Sequence, residues 1–488
     1  MFPDAVRVQV SRRRNRLLLA CATVAMAAGA GAQDTRVVTE PVIPAACVRL
    51  GAHLQGVGAS IREEDENKPD TERIQKAIDG CKPGMAVELT ASVSLGTGSS
   101  NTPPRNAFLS GPLELREGVT LLIAKGVTLF ASRRASDYDV TPGSCGVLMQ
   151  VKGHWCKPLL TIRAKNAAIM GDGAIDGRGG AKLLDKGYSW WALAVKAEPG
   201  TVPYSDPRLI DAAEADGFTL YRITLHNAPN DHVAVSQTNG FTAWGVHLKT
   251  PTVEPGPGEP RPRNTDGIDP GSSSNITIAH SWIDNGDDNI AIKAGVTHIS
   301  VIDNHFYSGH GMSIGSETNT GDSYLLVDGL TEDHTTSGIR IKSNVTHGGL
   351  VHDLVYRNIC MRDVAMPIAI SPYYNNGTIE GFVDPGIKGD RIPDYKKISI
   401  ENVTDESTGD VLIAGYDEVH RTEVSLIDVT IKGIAADKVH LKLADINNGG
   451  TNLPLAKAAE GNDVKVTPVE VKELSKPFSC EGKFVPMR

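Results

Sequence analysis

Four short segments in the middle of the chain carry side chains suited to acid/base chemistry. They are Asn264–Asp269, Gly286–Asn289, Gly309–Gly311 and Arg340–Lys342. Carboxylates and an imidazole can donate or accept protons from a reacting group, and arginine and lysine bind anionic groups. Together the segments indicate acid/base catalysis on an anionic substrate.

The spacing of these residues strengthens that interpretation. Asp266 and Asp288 are 22 residues apart, and Asp288 and His310 are again 22 residues apart. If the chain winds with a turn of that length, residues one turn apart become neighbours on parallel strands that lie about 4.8 Å apart. Asp266, Asp287 and Asp288 would then repel one another. At least one of the three is expected to hold its proton to higher pH, as a general acid must.

Short β-rich runs with turn residues between them recur from about residue 160 onward. In three of the runs Ile278, Val301 and Val327 are separated by 23 and 26 residues, and the runs alternate apolar and polar residues as half-buried strands do. A β-propeller needs about 40 to 45 residues per blade, whereas spacing near half that length is typical of stacked coils. We therefore predict an all-β chain, with one right-handed parallel β-helix domain over residues 33–488.

A helix is predicted over residues 70–80, before the repeats begin. Asp70 is a favourable N-cap, and Ile74, Ala77 and Ile78 fall on one face. The end of a solenoid leaves apolar side chains uncovered. We expect this helix to cap the N-terminal end, without a catalytic role.

Residues 1–32 have the pattern of a secretory signal peptide. A cluster of arginines precedes the apolar stretch Leu17–Ala28, and Ala30-Gly31-Ala32 offers a cleavage site before Gln33. The apolar stretch is too short to span a bilayer. We therefore expect a secreted protein that leaves the membrane after cleavage, exported through the periplasm by either the general or the twin-arginine route.

The charge of the mature chain restricts its partners. Cleavage after residue 32 removes five arginines and one aspartate, which changes the formal net charge from −9 to −13. Such an acidic protein is a poor candidate for non-specific nucleic-acid binding. A polyanionic substrate would also be repelled unless cations gather at the site. We expect a monomer.

Six cysteines remain after cleavage, and an even number in a secreted chain predicts disulfides, although six cysteines allow 15 pairings. Proximity in sequence favours Cys47–Cys81 and Cys145–Cys156, and Cys360–Cys480 then follows by elimination. No Cys/His group has the spacing of a zinc site. Neither a metal nor a cofactor is expected.

Taken together, Asn264-Thr265-Asp266, Gly286-Asp287-Asp288, Gly309-His310-Gly311 and Arg340-Ile341-Lys342 resemble the four signature segments of the polygalacturonases, glycoside hydrolase family 28. All four segments are present and in the family's order. The resemblance covers roughly residues 40–435 and is greatest to the bacterial endo-acting members.

The resemblance implies hydrolysis of α-1,4-galacturonosyl linkages in polygalacturonate, or pectin, with inversion at the anomeric carbon. Asp287 resembles the general acid, and Asp266 and Asp288 resemble the pair that activates water. His310 would tune the protonation of the acid or hold the sugar. Arg340 and Lys342 would pair with a substrate carboxylate.

The resemblance also suggests further substrate-binding residues around the four segments. Asn264 belongs to the first segment, and Tyr374, with Tyr373 as the alternative, matches the aromatic residue that completes the site. Asn230 and His232 resemble residues that border the groove, but Asp231 departs from the apolar residue expected between them. Lys293 is either a further substrate-binding cation or a solvated charge.

Three rival functions are compatible with parts of this pattern. A pectate lyase shares the solenoid and the substrate, but it needs bound calcium and an arginine base. A non-catalytic pectin-binding solenoid would not need the acidic residues. An exo-acting polygalacturonase would block one end of the groove with extra loops or an added domain, for which this chain has room only in its last roughly 50 residues, although the insertion from Tyr374 to Asp394 could narrow the groove. Endo action is therefore the prediction.

Overall fold

Strand pairing along the chain is almost entirely parallel and joins each coil to the next. Ile278 pairs with Val301, and Val301 pairs with Val327, so the intervals seen in the sequence are single coils. In this computed structural model the described residues are 33–58, 60–92, 104–153, 155–197, 202–375, 384–470 and 478–487. The structure confirms the predicted right-handed parallel β-helix.

Two long sheets run the length of the solenoid among the described residues. The 11-stranded sheet consists of Leu113–Leu115, Leu160–Ile162, Ile210–Ala213, Val233–Ser236, Ile268–Gly271, Ile290–Ile292, Met312–Gly315, Ser337–Lys342, Met366–Ser371, Val411–Ala414 and Val439–Lys442. The 22-stranded sheet consists of Ala46–Gly51, Ala86–Thr90, Ala107–Ser110, Thr120–Ile123, Thr128–Ala131, Ala168–Met170, Ala174–Asp176, Thr219–Tyr221, Thr224–His226, Thr242–Trp244, His247–Lys249, Ser274–Ala279, Trp282–Asp284, Thr297–Ile302, His305–Phe306, Asp322–Asp328, Thr331–Asp333, Leu350–Arg362, Asp394–Asp405, Thr422–Ile431, Ala444–Thr451 and Lys465–Pro468. A separate antiparallel pair is formed by Gly56–Val57 and Ser60–Ile61.

Stacked aliphatic side chains fill the interior and set the register of the 11-stranded sheet. Ile268, Ile290, Met312 and Ile339 pair in successive strands, and all four are completely buried. Because side chains alternate between the two faces of a strand, a shift of one residue would expose this stack. The stack therefore also fixes the residues that enter each strand.

Helices are few and lie outside the coils. The α-helices are Thr71–Gly80, Trp190–Lys196 and Leu455–Ala458, and short 3₁₀ turns span Glu63–Asp65, Ala135–Tyr138 and Ala436–Lys438. The first confirms the predicted cap, since Ile74 and Ile78 are fully buried in the main core. Asp70 occupies the N-cap position, but its carboxylate pairs with Arg73 instead of capping a backbone N–H group. No helix in the described ranges is long and apolar enough to cross a membrane.

All three predicted disulfides are present. They join Cys47 to Cys81, Cys145 to Cys156, and Cys360 to Cys480. The first ties the cap helix to the first strand, and the last ties the C-terminal segment to a late coil. The predicted signal peptide lies outside the described residues, as do residues 376–383 of the insertion after Tyr374.

The segment that follows the predicted cleavage site lies across the outside of several coils. Asp34 is buried; its backbone N–H donates to Ser300 Oγ at 3.0 Å, and its carboxylate accepts from Thr277 Oγ1 at 2.8 Å. Arg36 donates to the carbonyl oxygens of Gly240 and Phe241 at 2.6 and 2.9 Å and pairs with Asp34. The segment therefore crosses three consecutive coils, whose strands pair through Thr242, Thr277 and Ser300.

Arg36→Ala is expected to destabilise the fold by about 1–3 kcal/mol, because it leaves the Asp34 carboxylate buried without its cation. The expected change is a fall in Tm of about 1–3 °C. Arg49→Ala is the matched control, since Arg49 pairs with Glu88 at 2.7 Å but its side chain is 71% exposed and such pairs contribute little. Equal Tm values for the two variants would contradict the linking role.

Candidate active site

The loops that lead into neighbouring strands of the 11-stranded sheet bring the predicted residues into one column. The register partners in four consecutive strands are Val233, Ile268, Ile290 and Met312. The residues two positions earlier are Asp231, Asp266, Asp288 and His310. Each 22-residue interval is one coil, as the sequence predicts, and Asp231 extends the column by one coil toward the N-terminus.

Two asparagine amides hold the bend that carries the neighbouring aspartates. Asn285 Nδ2 donates to the carbonyl oxygens of Thr265 and Asp288, both at 2.8 Å. Asn289 Nδ2 donates to Asn285 Oδ1 at 2.8 Å. This bend does not turn both carboxylates outward. The Asp287 side chain is 21% exposed, and that of Asp288 is 1% exposed.

Asp288 lies at the centre of a buried ionic cluster. Its Oδ1 accepts from Arg340 Nη1 at 2.6 Å and from Ser313 Oγ at 2.8 Å, and its Oδ2 accepts from Lys342 Nζ at 2.7 Å. Burial alone would raise the pKa of Asp288, but the Lys342 ammonium and the Arg340 guanidinium lower it far below its usual range. Asp288 is therefore a permanent anion in the unliganded site.

The two cations predicted to bind the substrate thus already have a carboxylate partner within the protein. Burial lowers the pKa of Lys342, and the charge of Asp288 opposes that effect. The ring centroid of Tyr374 lies 5.2 Å from Lys342 Nζ and 5.9 Å from Arg340 Cζ. Tyr373 is instead buried, and its hydroxyl donates to the carbonyl oxygen of Gly415. Of the two tyrosines, Tyr374 is the one brought to the site.

Asp287 is the most exposed of the three clustered carboxylates. Its Oδ1 lies 3.1 Å from His310 Nδ1 and accepts from the Asp288 backbone N–H at 2.9 Å. Its Oδ2 accepts from the backbone N–H of Asn264 at 3.3 Å. Burial opposes ionisation, but the hydrogen bond and charge of His310 lower the pKa of Asp287 below its ordinary value.

Asp266 has the opposite electrostatic character. Burial raises its pKa well above the ordinary value, and the charges of Asp269 and Asp287 raise it further. Lys293 Nζ lies 3.7 Å from Asp266 Oδ2 and 3.9 Å from Asp269 Oδ2, so one ammonium serves two carboxylates. The sequence predicts a raised pKa for the general acid, and the family resemblance assigns that role to Asp287. The unliganded structure shows it on Asp266 instead.

Lys293 is therefore a site residue and not a solvated surface charge. Its side chain is half-buried, and its Nζ also donates to the Gly315 carbonyl oxygen at 3.4 Å. The carboxylates of Asp269 and Asp266 raise the pKa of Lys293 well above its usual value, although burial opposes that change. It stays protonated beside the column.

The structure does not support His232 as a residue that contacts substrate. The side chain is completely buried, Nδ1 lies 2.9 Å from the Asp266 carbonyl oxygen, and Nε2 lies 2.8 Å from Thr250 Oγ1. Burial lowers the pKa of His232 to about 4. The neutral imidazole ring therefore helps to fix the backbone of Asp266 through its contact with the carbonyl oxygen. Asn230 is half-buried and donates through Nδ2 to Asp206 Oδ1 at 3.1 Å.

Three further residues of the site were not selected from the sequence. The Tyr204 hydroxyl donates to Asn264 Oδ1 at 2.9 Å, Asp206 pairs with Asn230, and Asp269 faces Lys293. Asp269 follows Asp266 by three residues and alternates with the buried Ile268, which was a usable signal. Tyr204 and Asp206 lie in the long loop after Trp190–Lys196, which follows no coil period.

Two groups of potential metal ligands coincide with the column, and the second, Asp231, Asp266 and Asp269, already has Lys293 beside two of its carboxylates. Asp287, Asp288 and His310 each offer a ligand atom within 4.8 Å of the other two. Both oxygens of Asp288 already accept hydrogen bonds from Arg340, Lys342 and Ser313. Two cations beside the same carboxylate would also repel a metal ion. The arrangement suits proton transfer better than metal binding.

The chain is similar in sequence to a known family and to several bacterial proteins. A model of the family described as glycosyl hydrolases family 28 matches residues 94–451. The endo-polygalacturonase of Pectobacterium carotovorum subsp. carotovorum is 41% identical over 410 residues, which are 83% of this chain and 91% of that protein. The polygalacturonase of Ralstonia solanacearum is 39% identical over 434 residues, which are 80% of this chain and 78% of that protein.

A solved structure gives the same result. The polygalacturonase of Erwinia carotovora ssp. carotovora superimposes with a TM-score of 0.72 at 39% sequence identity. The match covers 85% of this chain and 100% of that chain. The similarity therefore includes the column and the coils on either side of it.

Proposed function

This chain belongs to family 28 of the glycosyl hydrolases, and from that premise we propose how its residues divide the catalytic work. The enzyme is an endo-acting polygalacturonase that hydrolyses galacturonosyl linkages of polygalacturonate in pectin. Endo action agrees with the relatives, since the exo-poly-α-D-galacturonosidase of Dickeya chrysanthemi is only 28% identical over 399 residues. Family membership also sets aside the lyase and the binding-only alternatives.

We propose that Asp287 is the general acid. The observation that supports this role most directly is its exposure, because Asp287 is the clustered carboxylate whose side chain reaches the surface. In the reaction its proton passes to the glycosidic oxygen as the bond from that oxygen to the anomeric carbon breaks. Solvent returns the proton after the products leave.

Asp266 and Asp288 act on the attacking water, and their different surroundings give them different parts. Asp266, with its raised pKa, is the better proton acceptor, since a base works best when its pKa lies near the working pH. Asp288 stays charged between Arg340 and Lys342 and orients the water. The water oxygen bonds to the anomeric carbon on the face opposite the departing oxygen, which inverts the configuration.

Binding of the polyanionic substrate prepares Asp287 for its role. In the unliganded site His310 lowers the pKa of Asp287, so the acid is ionised too readily. A galacturonate carboxylate drawn to Lys342 and Arg340 adds negative charge beside Asp287 and displaces water. Both changes raise the pKa of Asp287. Tyr374 and Asn264 border the position that this sugar takes.

Asp287→Asn is expected to reduce kcat by about 10²-fold or more, because the amide cannot donate an acidic proton to the leaving oxygen. The measurement is the initial rate of reducing-end release from polygalacturonate, with unchanged Tm as evidence of folding. Asp303→Asn is the control, since Asp303 is 61% exposed and lies after a strand of the 22-stranded sheet. Near wild-type activity of Asp287→Asn would refute the assignment.

His310→Ala is expected to move the alkaline limb of the pH profile of kcat/KM to higher pH. Asp287 must be protonated to act, so activity falls as pH rises through its pKa. His310 lowers that pKa, and its removal raises it. His280→Ala is the control, since His280 is a half-exposed histidine in the bend between two strands of the 22-stranded sheet. A lower rate with an unmoved limb would assign His310 to sugar binding alone.

We also propose that the enzyme is secreted as a monomer after cleavage at residue 32. Support comes from the residues that follow, because Asp34 and Arg36 dock against the coils, and from the site, whose column lies within one chain. Sequencing of the secreted protein is expected to begin at Gln33. Light scattering is expected to give one chain, below the 52.0 kDa of the full sequence. An uncleaved N-terminus would contradict the predicted cleavage, and the mass of a dimer would contradict the monomeric state.

A further inference from the structure

Charge is distributed unequally along the column. We define the acidic side as the part around Asp231, one coil before Asp266, and the cationic side as the part around Arg340 and Lys342. The acidic side holds five carboxylates and three cations, which are Asp206, Asp211, Asp231, Asp266, Asp269, Arg163, Arg208 and Lys293. The cationic side holds three carboxylates with three basic groups, which are Asp287, Asp288, Glu317, His310, Arg340 and Lys342.

The cations of the acidic side are already committed to protein carboxylates. Arg208 pairs through Nε with Asp231 Oδ2 and through Nη1 with Asp211 Oδ1, both at 2.9 Å. Arg163 pairs with the same Asp211. Lys293 is shared between two carboxylates. A substrate carboxylate over Asp231 would therefore have to compete with the protein's own acids for each cation.

Two carboxylates on this side each have a buried oxygen without a hydrogen-bond partner among the described residues. Asp206 makes no ion pair with any described residue, and its Oδ2 is buried without a hydrogen-bond partner. Asp269 is 7% exposed, and its Oδ1 likewise has no partner in the described part of the chain. The carboxylates of Asp231, Asp266 and Asp269 offer oxygens within 4.8 Å of one another.

The protein itself shows the effect of this crowding. Burial raises the pKa of Asp206, and the neighbouring charge of Asp231 raises it further. Burial likewise raises the pKa of Asp269, to which Asp231 and Asp288 add while Lys293 opposes them. Burial thus disfavours the charged form of both carboxyl groups, and the charge of Asp231 adds to that effect. Another carboxylate, on the substrate, would meet the same repulsion.

We propose that the acidic side binds a galacturonosyl unit whose carboxyl group is uncharged, as in a methyl ester, while the cationic side requires a free carboxylate. A methyl ester brings no charge to Asp231 and therefore avoids the repulsion that a carboxylate would meet there. This selectivity rests on the proposed function, since it assumes that the chain lies along the column. Asp231 is the residue that determines it.

The test compares kcat/KM on partially methyl-esterified pectin with kcat/KM on fully de-esterified polygalacturonate. In Asp231→Asn the ratio of the two is expected to fall by about 3- to 10-fold, chiefly because the de-esterified substrate is cut faster. Removal of the charge ends its repulsion and releases Arg208 for the substrate carboxylate. A change in the pKa of Asp266 would affect both substrates alike and cancel in the ratio.

Asp172→Asn is the matched control. Asp172 pairs with Arg222 at 2.6 Å, but it lies outside the column, at a turn of the 22-stranded sheet. The Asp172→Asn variant also removes one carboxylate charge from an ion pair with arginine. Its ratio of kcat/KM values on the two substrates is expected to equal that of the wild type. An unchanged ratio in Asp231→Asn, or an equal fall in Asp172→Asn, would overturn the proposal.

Product analysis gives a second, independent readout. Mass spectrometric sequencing of wild-type products is expected to show methyl esters enriched on one side of the cleaved bond, with free carboxylates on the other. Asp231→Asn is expected to lose that enrichment. A symmetric distribution in the wild type would also overturn the proposal. Both measurements use active enzyme. Failure of this proposal can therefore be distinguished from a wrong assignment of Asp287 or His310.

Discussion

The one-coil register of the 11-stranded sheet is the constraint on which the rest of the molecule depends. The buried stack of Ile268, Ile290, Met312 and Ile339 admits one pairing of successive strands, since a slip by one residue would expose it. Every residue that enters those strands is thereby placed in line with its counterpart in the next coil. The acidic column is thus a by-product of core packing, which needs no contact between the catalytic residues themselves.

The buried cluster of Asp288, Arg340 and Lys342 gives Asp288 a different pKa from the neighbouring carboxylates of the column. Removing one partner from such a cluster leaves an uncompensated buried charge, which is strongly unfavourable. Both cations lie beside Asp288, whereas burial, together with the charges of Asp269 and Asp287, raises the pKa of Asp266. His310 lowers the pKa of Asp287, just as Arg340 and Lys342 lower the pKa of Asp288. Three chemically identical side chains therefore acquire three different proton affinities.

The sequence predicts well what repeats and poorly what does not. The coil length and the alignment of Asp266, Asp288 and His310 follow from intervals that can be read directly, the cap helix follows from its apolar face, and the Cys360–Cys480 disulfide follows only by elimination. Tyr204 and Asp206 could not be found in this way, because they lie in a loop without a period. The burial of His232 was missed for another reason. A family motif tells which residue is present but not which face of the chain it occupies.

The direction of the pKa shifts was beyond the sequence because it depends on which carboxylate each cation reaches. Arg340 and Lys342 could serve the substrate or the protein, and the unliganded structure gives them to Asp288. An arriving galacturonate carboxylate must then share them, which weakens their hold on the ionised aspartates. In the proposed mechanism the negative charge of the substrate therefore raises the pKa of Asp287 and favours its protonated form. A neutral ligand of the same shape would lack this effect, which ties catalysis to the free carboxylate on the cationic side.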